Sequence, residues 1–125
     1  MSDLTFVQEA TTPQGQKLAV LSLRGNLNIT TTAEVRRKLY EIIQRGYPNL
    51  LLEVKGVGMV DSSGLGVLVS ALHRCRIQGG SIGLCQLPES LRMLLELTSM
   101  HKALPHFASV EEGIRQFPSS TLFEG

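Results

Sequence analysis

Tryptophan is absent from this 125-residue sequence, cysteine occurs only twice, and no apolar run approaches the roughly 20 residues of a membrane-spanning helix. Two cysteines are too few for a metal site of the CxxC type. Cys75 and Cys85 also stand too far apart for a CxxC metal knuckle, so they are expected to be reduced, core-filling residues with no metal or disulfide role. A surplus of either charge is missing too: Lys and Arg number 12 against 11 Asp and Glu, for a formal net charge of +1. The only basic run, Arg36-Arg37-Lys38, falls within a helical pattern and reads as a solvated helix face. Without a concentrated basic footprint, nucleic acid is not expected as a partner. The opening residues Met1 to Thr5 lack the positive start and apolar stretch of a secretory leader, so no membrane association and a cytoplasmic location are expected.

What is present suits one compact domain. Hydrophobic residues make up 42% of the chain and charged residues 18%, enough to fill an interior at a length typical of a single core. The expected domain covers residues 1–117, with 118–125 as a flexible tail. Leu4 to Glu9 alternates weakly, a Thr-Thr-Pro-Gln-Gly turn follows, and Leu18 to Leu23 is an apolar run bounded by Gly25, which together predict a hairpin. Asn28 to Thr32 is rich in cap formers, and Val35, Leu39, Ile42 and Ile43 then share one helical stripe, closed by Gly46 and Pro48. Leu50 to Val54 reads as an interior strand followed by a glycine-containing link, and a helix from Asp61 to about Gln78 ends at Gly79-Gly80. Strand (Ser81 to Leu87), helix (Pro88 to Leu97), short strand (Ala103 to Phe107) and helix (Val110 to Phe117) complete the order. The expectation is an α/β fold: a single-domain mixed sheet of four to five strands with about four helices, its parallel strands joined by helical crossovers.

The segment Val60-Asp61-Ser62-Ser63-Gly64-Leu65-Gly66-Val67-Leu68-Val69 carries the most information. Asp61 and Ser62 are both N-cap candidates. At 100° per residue, the turn angle of an ideal helix, Leu65, Leu68, Val69, Leu72 and Cys75 fall on one side, expected to face the sheet. Ser63, Val67, Ser70 and Arg74 fall on the other, a small, weakly charged stripe suited to docking on a partner. A phosphate on a serine at a helix start is tolerated by the free N–H groups and the positive end of the helix dipole. Placed inside an apolar interface, the added charge would instead expel the partner.

The run Asp61-Ser62-Ser63-Gly64-Leu65-Gly66 after an apolar strand resembles the signature of the STAS domain, in particular of bacterial anti-sigma factor antagonists. Leu23 to Asn28 before an amphipathic helix, the Leu50 to Val54 strand, and Ile82-Gly83-Leu84 after a Gly-Gly turn follow the same family order, from about Leu4 to Phe117. The resemblance implies a non-enzymatic switch. Ser63, with Ser62 as the fallback, would be phosphorylated by a partner that is both anti-sigma factor and serine kinase. Phosphorylation would end binding, and a serine phosphatase would reset the protein. Asp61, Ser62, Ser63, Gly64, Gly66, Val67, Ser70 and Arg74 would form the docking face, with Gly64 and Gly66 permitting close approach. Asn28 and Glu53 depart from the family pattern, which often has an acidic residue and an Asp there; both positions are expected near the motif end of the sheet.

Other readings are weaker. His73 lies about 15 Å along the same helix from Ser63 at 1.5 Å per residue, too far for a serine hydrolase. Gly64-Leu65-Gly66 lacks the third glycine of a dinucleotide fingerprint, so no cofactor is expected. A STAS subunit that binds its partner constitutively, in a signalling scaffold or beside a transporter, stays open as an alternative. Met93, Leu97 and Met100 form a second apolar stripe on the third helix, a surface for weak homodimer formation or a partner.

Overall fold

The computed structural model describes residues 2–118. Strands β1 (Ser2–Thr11) and β2 (Lys17–Leu27) form the predicted antiparallel hairpin. Its turn is held by Thr12, whose hydroxyl oxygen accepts a hydrogen bond from the Gln16 N–H at 3.0 Å. From β2 onward every pairing is parallel: β3 (Leu50–Val60) lies beside β2, β4 (Ile82–Cys85) beside β3, and β5 (His106–Phe107) beside β4. Spatial order is β1-β2-β3-β4-β5, identical to chain order. The helices are α1 (Thr32–Gln44), α2 (Ser62–Ile77), α3 (Glu89–Leu97) and α4 (Val110–Gln116), and a single 3₁₀ turn spans Met100–Lys102. The five-stranded mixed sheet with four α-helices is the architecture anticipated from the apolar runs and turn signals.

Strand alternation divides the molecule into two layers of side chains. Leu21, Leu23, Leu50, Leu52, Val54 and Leu84 pack with α1, α2 and α3 in the main core. Leu18, Val20, Leu51 and Cys85 point the other way, against Phe117 and the α4 residues Val110 and Ile114. Three helices therefore cover one face and one helix covers part of the other. Each fully buried leucine contributes about 1.5–3 kcal/mol relative to exposure.

Several boundaries differ from expectation: β1 and β2 are longer at both ends, β4 is confined to Ile82–Cys85 and β5 to His106–Phe107, and two further differences concern β3 and α3. Lys55 to Val60 is not a link; it continues β3 and pairs with Arg24, Gly25 and Leu27 of β2 after a register shift. The Asn26 Oδ1 atom accepts the Met59 N–H at 2.9 Å and fastens that extension, so side-chain bonding overrides the two glycines in the segment. Helix α3 begins at Glu89, with Pro88 before it as the cap residue in extended conformation, its carbonyl accepting the Arg92 N–H at 3.0 Å. Most of the expected tail lies outside the described residues; Pro118, its first residue, accepts a hydrogen bond from Gln16 Nε2 at 3.0 Å.

Candidate functional site

Helix α2 starts where β2 and β3 end together. The Asp61 N–H donates to the Leu27 carbonyl at 3.1 Å, joining the chain just before the helix to the last residue of β2. Asp61, in extended conformation, is the N-cap: its Oδ1 accepts from the Gly64 N–H at 3.0 Å, and its carbonyl accepts from Leu65 at 3.0 Å. The first-turn N–H groups of Ser62 and Ser63 are left without an intrahelical acceptor. Ser62 is the first helical residue and is exposed; Ser63 is half-buried. Neither hydroxyl has a hydrogen-bond partner among the described residues.

The two glycines of the motif stand in different surroundings. A Cβ at Gly64 would lie 2.5 Å from the Leu27 carbonyl oxygen and 2.6 Å from Leu27 Cβ, so this glycine lets α2 press onto the end of β2. A Cβ at Gly66 would meet nothing within 4 Å. The fold does not ask for that glycine, which costs a helix interior about 1 kcal/mol relative to alanine. The close approach expected at both positions is thus internal at Gly64 and open to the outside at Gly66.

Of the stripe proposed for docking, Val67 is corrected by the packing. Val67 is fully buried in the main core. Ser70 is half-buried, its hydroxyl hydrogen-bonded to that of Tyr40 on α1, and the Arg74 guanidinium lies 4.3 Å from the Tyr40 ring centroid. Ser70 and Arg74, the latter still exposed, join α2 to α1. Leu65, Leu68, Leu72 and Cys75 do face inward as expected, while Val69 is only half-buried. The outward stripe is Ser62, Gly66, Val69 and His73, spaced by helical turns from the first residue of α2.

Two residues beside the helix start were not singled out in the sequence. Ile29 is 78% exposed on the loop leaving β2, and Met59 is 76% exposed two residues before Asp61. Both are held in place. Thr31 Oγ1 donates to the Asn26 carbonyl at 2.8 Å and Asn28 Oδ1 accepts from the Thr30 N–H at 2.9 Å, while Asn26 fixes Met59. The available signal was an isoleucine interrupting the polar, cap-forming run Asn28 to Thr32. Asn28 itself lies near the helix start, as expected, where its side-chain oxygen makes the turn bonds that an aspartate could also make. Glu53 pairs with Cys85, the last residue of β4, and alternates with Leu52 and Val54, which face the helices, so it lies on the sheet face opposite the serines.

The remaining candidate groups are elsewhere. Cys75 and Cys85 are free and buried, and burial pushes both thiols up to about 12, with Glu53 and Glu112 adding to the effect at Cys85. His73 points outward from α2, and His101 Nδ1 is 3.4 Å from the Leu95 carbonyl oxygen. Among the described residues no group of three or more His, Cys, Asp or Glu is placed to hold a metal, and no helix is long and apolar enough to cross a membrane.

A sheet of this order, with a capped serine helix at the common end of β2 and β3, defines a small α/β module built around one exposed helix start. The family model for the STAS domain matches residues 9–113. An anti-sigma-B factor antagonist of Bacillus subtilis (strain 168) is 30% identical over 95 residues, covering 76% of this chain and 86% of the relative. An anti-sigma F factor antagonist of Paenibacillus polymyxa is 30% identical over 87 residues, covering 69% and 74%. The chain belongs to the STAS domain family, among the anti-sigma factor antagonists. The Bacillus cell fate determinant SpoIIAA has the same fold: its phosphorylated form superposes with a TM-score of 0.66 at 19% identity, covering 91% of this chain and 96% of that one.

Proposed function

We propose that this protein is a partner-switching anti-sigma factor antagonist of the cytoplasm. In its unmodified form it binds an anti-sigma factor that is also a serine kinase, and so frees a sigma factor. Phosphorylation of Ser63 ends that binding, and a serine phosphatase restores it. The protein itself performs no chemistry. Supporting this reading most directly is the start of α2, where two serine hydroxyls lacking protein partners sit at the positive end of a helix capped by Asp61.

The surroundings supply the rest of the switch. Ile29 and Met59 offer exposed apolar anchors beside the serines, and Gly66 gives a partner backbone room to approach. A phosphate on Ser63 adds about −1.5 to −2 charge at pH 7. The two free N–H groups compensate that charge within this protein, but nothing compensates it in an apolar contact, so the partner leaves while the fold stays. Exposure alone ranks Ser62 ahead of Ser63. The family pattern favours the second serine of the motif, and Ser63 is the assignment carried here, with Ser62 as its alternative.

Mass spectrometry of the protein purified from its own cells tests the reading. Phosphate is expected on the peptide spanning Ser62 and Ser63, retained in Ser62→Ala and lost in Ser63→Ala. An unmodified peptide across several growth conditions would instead favour a constitutive interaction module.

A further inference from the structure

The uncovered part of the second sheet face holds a polar basin of about 420 Å³ lined by Arg24, Glu53, Lys55, Gly56 and Gln86. It lies beyond the area covered by α4, since Leu18, Val20 and Leu51 on this face pack against α4 and Glu53 follows Leu51 by one alternation. Helix α2 and its serines are on the other face.

Several features make this basin unlike ordinary surface. The β2–β3 ladder passes from the pair Ser22–Glu53 to the pair Arg24–Gly56, so β3 carries one extra residue here. Such a bulge re-aims the side chains beside it. Gln86 has a left-handed φ of 59°, an uncommon backbone state for a non-glycine residue, and its N–H donates to the Phe107 carbonyl at 3.0 Å. Arg24 and Lys55 make no ion pair among the described residues, although a carboxylate lines the same basin. One oxygen of that carboxylate is already engaged: Glu53 Oε2 accepts from the Lys55 backbone N–H at 2.8 Å. Ser22, cross-strand partner of Glu53, has a buried hydroxyl oxygen with no hydrogen-bond partner.

The balance of donors and acceptors indicates a chemical class. Two solvent-exposed cations with no ion-pair partner, lining one basin, suit an oxyanion. Glu53 and Gln86, which line the same basin, carry acceptor oxygens, and a bare oxyanion would bring like charge beside the Glu53 carboxylate. A ligand bringing hydroxyl groups satisfies both sets, and the volume suits a molecule of monosaccharide size. We propose that the basin formed by Arg24, Glu53, Lys55 and Gln86 binds a small polyol carrying one oxyanionic group, a sugar phosphate or sugar acid. Arg24 and Lys55 hold the anion, and Glu53 and Gln86 accept from the hydroxyls.

The test is titration of the intact, ¹⁵N-labelled protein with glucose 6-phosphate, gluconate, inorganic phosphate and glucose, followed by amide shifts. At least one of the first two should bind at least about tenfold more tightly than both inorganic phosphate and glucose, with shifts at Ser22, Arg24, Glu53 to Gly56 and Gln86. Which of the two binds distinguishes phosphate from carboxylate. Lys55→Ala, an exposed change that leaves the core intact, should weaken binding about tenfold. Glu53→Gln keeps an acceptor for the Lys55 N–H and should narrow the preference over inorganic phosphate. Failure of both polyol anions to bind, equal affinity for inorganic phosphate, or shifts confined to the start of α2 would each overturn the proposal. These outcomes do not depend on Ser63, so the proposed switch stands or falls separately.

Discussion

Gly64 and Gly66 are two positions apart on α2 and answer to different constraints. At Gly64 a methyl group would run into the Leu27 carbonyl and Leu27 Cβ, both part of the strand that positions the helix; at Gly66 it would enter open space. The same contrast runs along the helix. Leu65, Val67, Leu68 and Ser70 belong to contacts with the sheet and α1, whereas Ser62, Gly66 and His73 touch little of their own protein. The inner residues are explained by the fold. Gly66 is not, because alanine would serve a helix better and its methyl group would meet nothing of this protein within 4 Å.

Substitutions along α2 can break that contrast. The largest effect is expected from Gly64→Ala, which should destabilise by about 1–3 kcal/mol because backbone must move to admit the methyl group; a thermal or urea melt close to wild type would show that α2 is not pressed onto β2. Asp61→Ala removes the side-chain cap on Gly64 and should cost about 1 kcal/mol in the same assay. Gly66→Ala should act in the opposite sense, raising stability by up to about 1 kcal/mol while weakening capture of the proposed anti-sigma kinase in a binding assay. If Gly66→Ala left that affinity unchanged, the outward stripe would lose its meaning as a docking surface. Arg74→Glu is expected to be smallest. It removes a cation–π contact with Tyr40 worth about 0.5–1 kcal/mol at an exposed site, and its effect should appear in the melt rather than in binding.

The sheet was legible from sequence because apolar runs such as Leu18 to Leu23 and Leu50 to Val54 have strand length, are nearly continuous, and are bounded by turn formers. The Asp61 cap was legible because capping is local chemistry. Val67 was misplaced for a physical reason. A helical wheel sorts residues against one neighbour, and α2 has two, the sheet and α1, so its buried arc is wider than one stripe. The extension of β3 past Lys55 depends on an Asn26 side chain from another strand, and pairing of that kind leaves no trace in hydrophobic periodicity. The basin around Glu53 was hidden likewise: it is assembled from two strands, β2 and β3, and the residue after β4, and of its polar side chains only Glu53 was singled out in the sequence.

Strand order in space repeats strand order along the chain. Each strand after the first can therefore add to an edge already made by the strand before it, without waiting for a distant segment. For a chain emerging from a ribosome at about 5–20 residues per second, this permits vectorial growth, with β1 to β3 paired before β4 is made. The start of α2 would be seated on Leu27 and Val60 while the last third of the protein was still being synthesised.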